Sequence, residues 1–356
     1  MLAERTFDAM ASPTIESIEA SAATTGGQAM AQLTILAGGV GGARFVRGAR
    51  VLAAAMDLDI TVIANTGDDL WLTGLRVCPD LDSLMYSLGG ANDTERGWGR
   101  AGESERVSAE LTAYGVGWPW FTLGDLDLGT HIARTALLRD GLSLTEATER
   151  LAARWNLGVR LLPASDDEVE TNVEVVDEDG EARLIHFEEW WVRHRGNIPT
   201  RRFVQQGLES AVAAPAALEA VASADVVLFA PSNPVVSIGT ILTLPGMREA
   251  LRDTAAPVVG VSPIIGGAAV RGMAELCLRT IGVEVSAAAV GLHYGPRPAG
   301  GLLDGWLVDS ADPEALGPLH AAGMEARAVP LWMTSDESSA AIVADALSLA
   351  AEARTA

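Results

Sequence analysis

The chain has 356 residues, 49% hydrophobic and 20% charged, enough to bury one large core and typical of a folded globular protein. Its formal net charge of −22 excludes a broad basic face and, with it, nucleic-acid partners; a small phosphorylated ligand stays compatible if local donors and a cation offset the global field. Two distant cysteines, Cys78 and Cys277, form neither a disulfide framework nor a metal pattern, and no secretory signal or long apolar span is present, so the expected location is the cytoplasm, without membrane contact.

Residues 1–31 are rich in Ala, Ser and Thr and weakly periodic, and are expected as a flexible extension. The remainder, 32–356, reads as one α/β domain. LTILA (33–37) is a short apolar strand, and ARFVRGARVLAAAM (43–56) has helical spacing. DITVIA (59–64), DVVLFA (225–230) and PVVGV (257–261) are continuous apolar runs of the kind buried in parallel sheets. Together they predict a doubly wound, Rossmann-like parallel sheet. Residues 103–155 look mainly helical, and 169–187 form a hairpin around Asp-Glu-Asp-Gly, so about 91–205 is expected as a helical-plus-hairpin insertion.

Four loops after strands, with one further stretch before a helix, carry the candidate chemistry, because ligands of such sheets bind outside the carboxyl ends of the strands. AGGVGGAR (37–44) lacks the third glycine of a dinucleotide fingerprint and the lysine of a nucleoside-triphosphate loop. Its glycines still allow close backbone approach to an anion, and Arg44 opposes the helix dipole, which favours a ligand role over a solvated one. NTGDD (65–69) places Asp68 and Asp69 side by side, either as a solvated turn or as cation ligands. RVCPDLD (76–82) adds Asp80 and Asp82 before a helix, one of them a plausible N-cap. APSNPVVSIG (230–239) fixes Ser232 and Asn233 between prolines, and VSPIIGGAAVRG (261–272) repeats the theme with Gly266, Gly267 and Arg271. Trp71, Trp98, Trp118 and Trp120 fall near these loops, as core or as a surface for a flat aromatic ligand.

The ordered set LAGGVGGARF, NTGDDLW, RVCPDLD, RGWG, SDD, HFEEWWVRHRG, PSNPVVSIG, SPIIGG and LWMTSDE resembles the 2-phospho-L-lactate transferase family, above all its actinobacterial phosphoenolpyruvate transferases of coenzyme F-420 biosynthesis. That resemblance covers about 33–336. It implies a magnesium-dependent homodimer that transfers a phosphoenolpyruvyl or 2-phospholactyl group from a guanosine diphospho donor to the ribityl hydroxyl of the deazaflavin Fo, releasing GMP. It also implies that Gly38, Gly39, Gly41, Gly42 and Arg44 lie near the donor phosphates with Ser232 and Asn233. Asp69 with Asp68 would hold the metal and Asp82 would act on the ribityl end; the reverse assignment of Asp69 and Asp82 stays open. Trp71, Arg76 and Arg271 complete the expected substrate contacts, the arginines as partners of the three-carbon carboxylate. Two rival readings are a sugar-nucleotide-type nucleotidyltransferase, which usually has a lysine soon after the glycine loop where 40–60 has none, and a non-catalytic nucleotide-binding regulator.

Overall fold

A computed structural model describes residues 32–270 and 272–354. The expected flexible extension, 1–31, and Arg271 lie outside the described residues. Strand β1 (Gln32–Ala37) leads into helix α1 (Gly39–Met56) and β2 (Asp59–Ala64). A small hairpin, β3 (Leu70–Leu72) and β4 (Leu75–Val77), delivers the chain to α2 (Pro79–Leu88). Helices α3 (Arg106–Ala113), α4 (Asp125–Arg139) and α5 (Leu144–Ala152) follow, then β5 (Arg160–Pro163). Strands β6 (Glu170–Val176), β7 (Ala182–His186) and β8 (Thr200–Gln206) make a separate antiparallel sheet, with a π-helical turn at Glu189–Arg193 between the last two.

The second half alternates again: α6 (Pro215–Ala222), β9 (Val226–Phe229), α7 (Ile238–Thr243), α8 (Met247–Asp253) and β10 (Val258–Val261). A two-stranded tip, β11 (Ile264–Ile265) and β12 (Ala268–Ala269), precedes α9 (Ala274–Thr280) and α10 (Ala287–Tyr294). The chain closes with β13 (Gly305–Asp309), α11 (Leu316–Ala321), β14 (Glu325–Val329) and α12 (Asp336–Ala353).

The main sheet has seven parallel strands in the order β14-β13-β10-β9-β1-β2-β5. This is the doubly wound arrangement that the buried apolar runs predicted. Alternate residues feed two cores: Ile35, Val62 and Leu228 face α1, α2 and α12, while Leu36, Ile63 and Phe229 face α6, α7 and α10. The strand order reverses at β1, between β9 and β2, so the crevice outside the carboxyl ends of β1 and β9 is the topological switch point where ligands of this fold bind.

Three local features differ from expectation. Helix α1 starts at Gly39, so Gly41 and Gly42 belong to its first turn rather than to a loop. Within the expected insertion, Arg160–Pro163 is the edge strand of the main sheet, pairing with β2. The predicted hairpin gains a third strand, β8, and the reason is visible in HFEEWW: Trp190 and Phe187 pack with Val173, Val175 and Ile185 into a small core of their own. Among the described residues, no helix is long and apolar enough to cross a membrane.

Candidate functional site

At the switch point the loops after β1 and β9 are bolted together. The Ser232 hydroxyl accepts from the Gly38 amide at 3.0 Å and donates to the Gly38 carbonyl at 2.8 Å. Asn233 turns inward on its own loop, its Oδ1 accepting from the amides of Val235 and Val236. Gly38 and Gly42 are glycine because nothing larger fits: a Cβ on Gly38 would stand 2.6 Å from Asp80 Oδ2 and 2.7 Å from Ser237 Cβ, and one on Gly42 2.9 Å from Ser232 Oγ. Gly39 has φ +63°, a conformation that L side chains resist. What this construction leaves for a ligand is the end of α1. The amides of Val40 and Gly41 have no acceptor among the described residues, and Arg44, one turn on, is exposed and makes no ion pair there. Free helix amides plus an unpaired guanidinium fit an anion.

Beside the cradle lies a group of buried acids. Asp80, in the first turn of α2, does not cap its own helix. Its Oδ1 accepts from the Gly39 amide at 2.7 Å, 41 residues away, and its Oδ2 from Asn65 Nδ2 at 2.9 Å. Asn65 in turn accepts from the Gly67 amide, which fixes its orientation. Burial pushes the Asp80 carboxyl up to about 6. Burial, with the charges of Asp80, Glu188 and Asp69, holds the Asp68 carboxyl well above the usual range. Glu188, at the end of the β7 connection, is pushed up to about 8 by burial and by Asp80. Asp69 is fully buried and raised to about 7 by burial, against the pull of Arg76 at 3.6 Å. Asp68 Oδ1 and both Asp69 oxygens are buried without a hydrogen-bond partner. Neighbouring buried carboxylates with unused lone pairs suit a hard divalent cation, which would neutralise them as protons otherwise must.

Each of these four carboxyls keeps its proton to higher pH in the folded chain than in the unfolded one, where ordinary values near 4 apply. The folded state therefore binds more protons over about pH 4 to 8, and stability is lost as pH rises through that window. His186 acts oppositely, since burial lowers its imidazole to about 4 and the unfolded chain protonates first below about 6.5, but it is one group against four. The metal-free protein is expected to be about 2 kcal/mol more stable at pH 6 than at pH 8, a few degrees in Tm, with magnesium narrowing the gap. Calorimetry at the two pH values checks this; a higher melting point at pH 8 without metal contradicts the acid cluster.

The other residues expected from the sequence have the following surroundings. Asp82 is committed to a second buried network: the Arg134 guanidinium grips both its oxygens, and His131 Nδ1 lies 3.5 Å from it. With Asp127 and His131 it is the group whose ligand atoms all lie within 4.8 Å of one another among the described residues. Arg134 already supplies the positive charge there, and Tyr86 donates to Asp127 at 2.7 Å, so a divalent ion would have to displace an arginine. Arg76 is buried between Asp69 and Glu170, at 3.6 and 3.8 Å, with its Nη1 lacking a hydrogen-bond partner. Trp71 is 40% exposed and donates to Glu168 at 2.9 Å. Gly266 and Gly267 form the exposed tip between β11 and β12, where Asp312 accepts from the Gly266 amide.

Sequence reasoning missed Glu188 and Asn65. Both left a trace: Glu188 is an acid inside a run of aromatics, and Asn65 is the first residue after β2.

The glycine turn and the acid cluster lie together at the switch point of a Rossmann-like sheet. The family model "2-phospho-L-lactate transferase CofD" matches residues 33–334, and the chain belongs to that family and is a transferase. It is 56% identical over 323 residues to the phosphoenolpyruvate transferase of Streptomyces griseus subsp. griseus, covering 91% of this chain and 99% of the relative. Its identity to the phosphoenolpyruvate transferase of Mycolicibacterium smegmatis is 50% over 327 residues, covering 90% and 98%. Among solved structures, the Bacillus halodurans protein BH3568 aligns with a TM-score of 0.57 at 18% identity over 89% of this chain and 99% of that one, a likeness of fold.

Proposed function

We propose that this protein transfers a phosphoenolpyruvyl group from a guanosine diphospho donor to the terminal ribityl hydroxyl of Fo, releasing GMP. The observation that carries the reading is the 50–56% identity, over nine-tenths of the chain, to proteins named phosphoenolpyruvate transferase. The site supports it. Phosphoryl transfer asks a protein mainly to position groups and offset charge. In this reading the donor diphosphate meets the Val40 and Gly41 amides and Arg44. The ribityl oxygen forms the new bond to the phosphorus that carries the enolpyruvyl group, the bridging P–O bond breaks toward GMP, and the hydroxyl proton passes to Asp80. A carboxyl pushed up to about 6 is ionised at neutral pH yet basic enough to accept it. Asp68 and Asp69, with the buried oxygens that have no hydrogen-bond partner, would hold magnesium, which would supply positive charge to the diphosphate.

The rival nucleotidyltransferase reading loses ground because the chain contains no lysine at all. The test is mass spectrometry of Fo incubated with this protein, GTP, the upstream guanylyltransferase and phosphoenolpyruvate. Fo gaining an enolpyruvyl phosphate, with GMP formed in equal amount, is the expected result. Unmodified Fo, with the donor intact, sinks the reading.

A further inference from the structure

The first turn of α2 carries two aspartates that are held from different sides. Asp80 and Asp82 are two residues apart, which is about 200° around a helix of 3.6 residues per turn. Asp80 accepts from the Gly39 amide at 2.7 Å and from Asn65 at 2.9 Å. Asp82 is drawn the other way, where the Arg134 guanidinium donates to both of its oxygens. Tyr86, one turn beyond Asp82 on the same face, donates to Asp127 at 2.7 Å. A helix gripped on two sides cannot turn about its axis without breaking one of the grips.

The grip on the Asp82 side comes from one face of α4. Asp127, His131, Arg134 and Thr135 fall at i, i+4, i+7 and i+8, and all four are buried. His131 Nε2 lies 3.3 Å from Asp127, and its Nδ1 lies 3.3 Å from Arg134 and 3.5 Å from Asp82. The same face holds the strand that enters α2. Arg134 donates to the Arg76 carbonyl at 3.3 Å, and Thr135 Oγ1 accepts from the Arg76 amide at 2.8 Å. Arg76, Asp82 and Tyr86 are thus fastened to α4, and Asp80, between them in sequence, reaches across to the glycine turn.

A buried ion pair is a costly way to fill a core. Apolar side chains of the same volume are often as stabilising or more so, and stability alone gives no reason for Arg134 and Asp82 to meet here. Direction gives one. A two-pronged guanidinium–carboxylate contact fixes an angle that apolar packing leaves free.

We propose that Arg134 is a positioning residue: by gripping Asp82 on one side of α2 while Gly39 and Asn65 hold Asp80 on the other, it fixes the rotation of the helix and aims Asp80. Its consequence for turnover rests on the proposed role of Asp80 as proton acceptor. Arg134 itself touches no reactant.

The test uses the full chain with Arg134→Met and Asp82→Leu combined, so that neither charge is left buried alone, and Arg134→Lys beside it. The position of Asp80 is read from hydrogen exchange of the Gly39 amide, which is expected to run about tenfold faster in the double variant. In the same protein kcat is expected to fall about a hundredfold while both KM values and the GDP affinity stay within about twofold, because misaiming one group costs turnover rather than binding. Arg134→Lys keeps the charge without the two-pronged grip and is expected to fall between the two. A folded double variant with the Gly39 exchange and kcat of wild type overturns the proposal. So does a loss shared equally by kcat, KM and GDP affinity, which marks a general loosening of the core. If the double variant does not fold, Arg134→Lys decides, and wild-type exchange and kcat in that protein overturn the proposal. Wild-type protein without transferase activity removes the role of Asp80, and Gly39 exchange then tests the grip by itself.

Discussion

Asp80→Asn is expected to lower kcat by about a thousandfold or more while leaving the fold intact. Asparagine fills the same volume, so packing in the first turn of α2 is kept. Its carbonyl oxygen can still accept from the Gly39 amide, replacing the 2.7 Å contact. The other half of the side chain becomes an NH2 group facing Asn65 Nδ2, now 2.9 Å from a carboxylate oxygen. Two donors then meet. Asn65 cannot flip to relieve them without surrendering the Gly67 amide, which its Oδ1 accepts. The substitution thus removes the proton acceptor and loosens the turn that aims it. It also removes one negative charge from beside Asp68 and Glu188, whose carboxyls Asp80 pushes up. The metal-free variant is therefore expected to melt no lower than wild type at pH 8. Steady-state turnover and calorimetry together check this. Turnover within tenfold of wild type excludes Asp80 as the group that takes the proton.

Much of the architecture was legible because it is local. Continuous apolar runs at 59–64, 225–230 and 257–261 leave little choice but buried parallel strands, and the glycines after β1 mark a tight strand-to-helix passage. The chemistry was less legible because it depends on pairings across the sheet. Nothing near Asp80 in sequence announces that its partners are Gly39 and Asn65. Nothing near Asp82, two residues on, announces Arg134, 52 residues away on α4. On a helix the two aspartates point to different sides, and that rotation gives them different partners. The tryptophans show the same limit. The sequence places Trp71, Trp98, Trp118 and Trp120 near the loops, but only the fold separates them. Trp118 stacks on Trp120 at 4.7 Å, Trp71 donates to Glu168, and Trp98 alone of the four stands over a cleft between α1 and α2.

The enolpyruvyl donor is expected to outcompete the lactyl donor by roughly 10- to 200-fold in kcat/KM. Both donors carry the same guanosine diphospho group and the same carboxylate, so neither the Val40 and Gly41 amides nor a cation can tell them apart by charge. Arg76 is buried beside Asp69 and Glu170, whereas Arg44 is an exposed cation next to the free end of α1. Arg44→Ala is accordingly expected to weaken both donors alike and leave their ratio nearly unchanged. The ratio itself must come from shape, because the carbon next to the bridging oxygen is planar in enolpyruvate and tetrahedral with a methyl in lactate. A wall fitted to the planar group meets that methyl as an overlap, which costs about 1–3 kcal/mol without any new charge. Identity of 50–56% to phosphoenolpyruvate transferases favours a wall of that kind. Parallel kcat/KM measurements on the two donors decide the matter. A preference for the lactyl compound reverses the donor assignment and leaves the transferase standing, whereas a changed ratio in Arg44→Ala shows that the arginine reads more than the carboxylate.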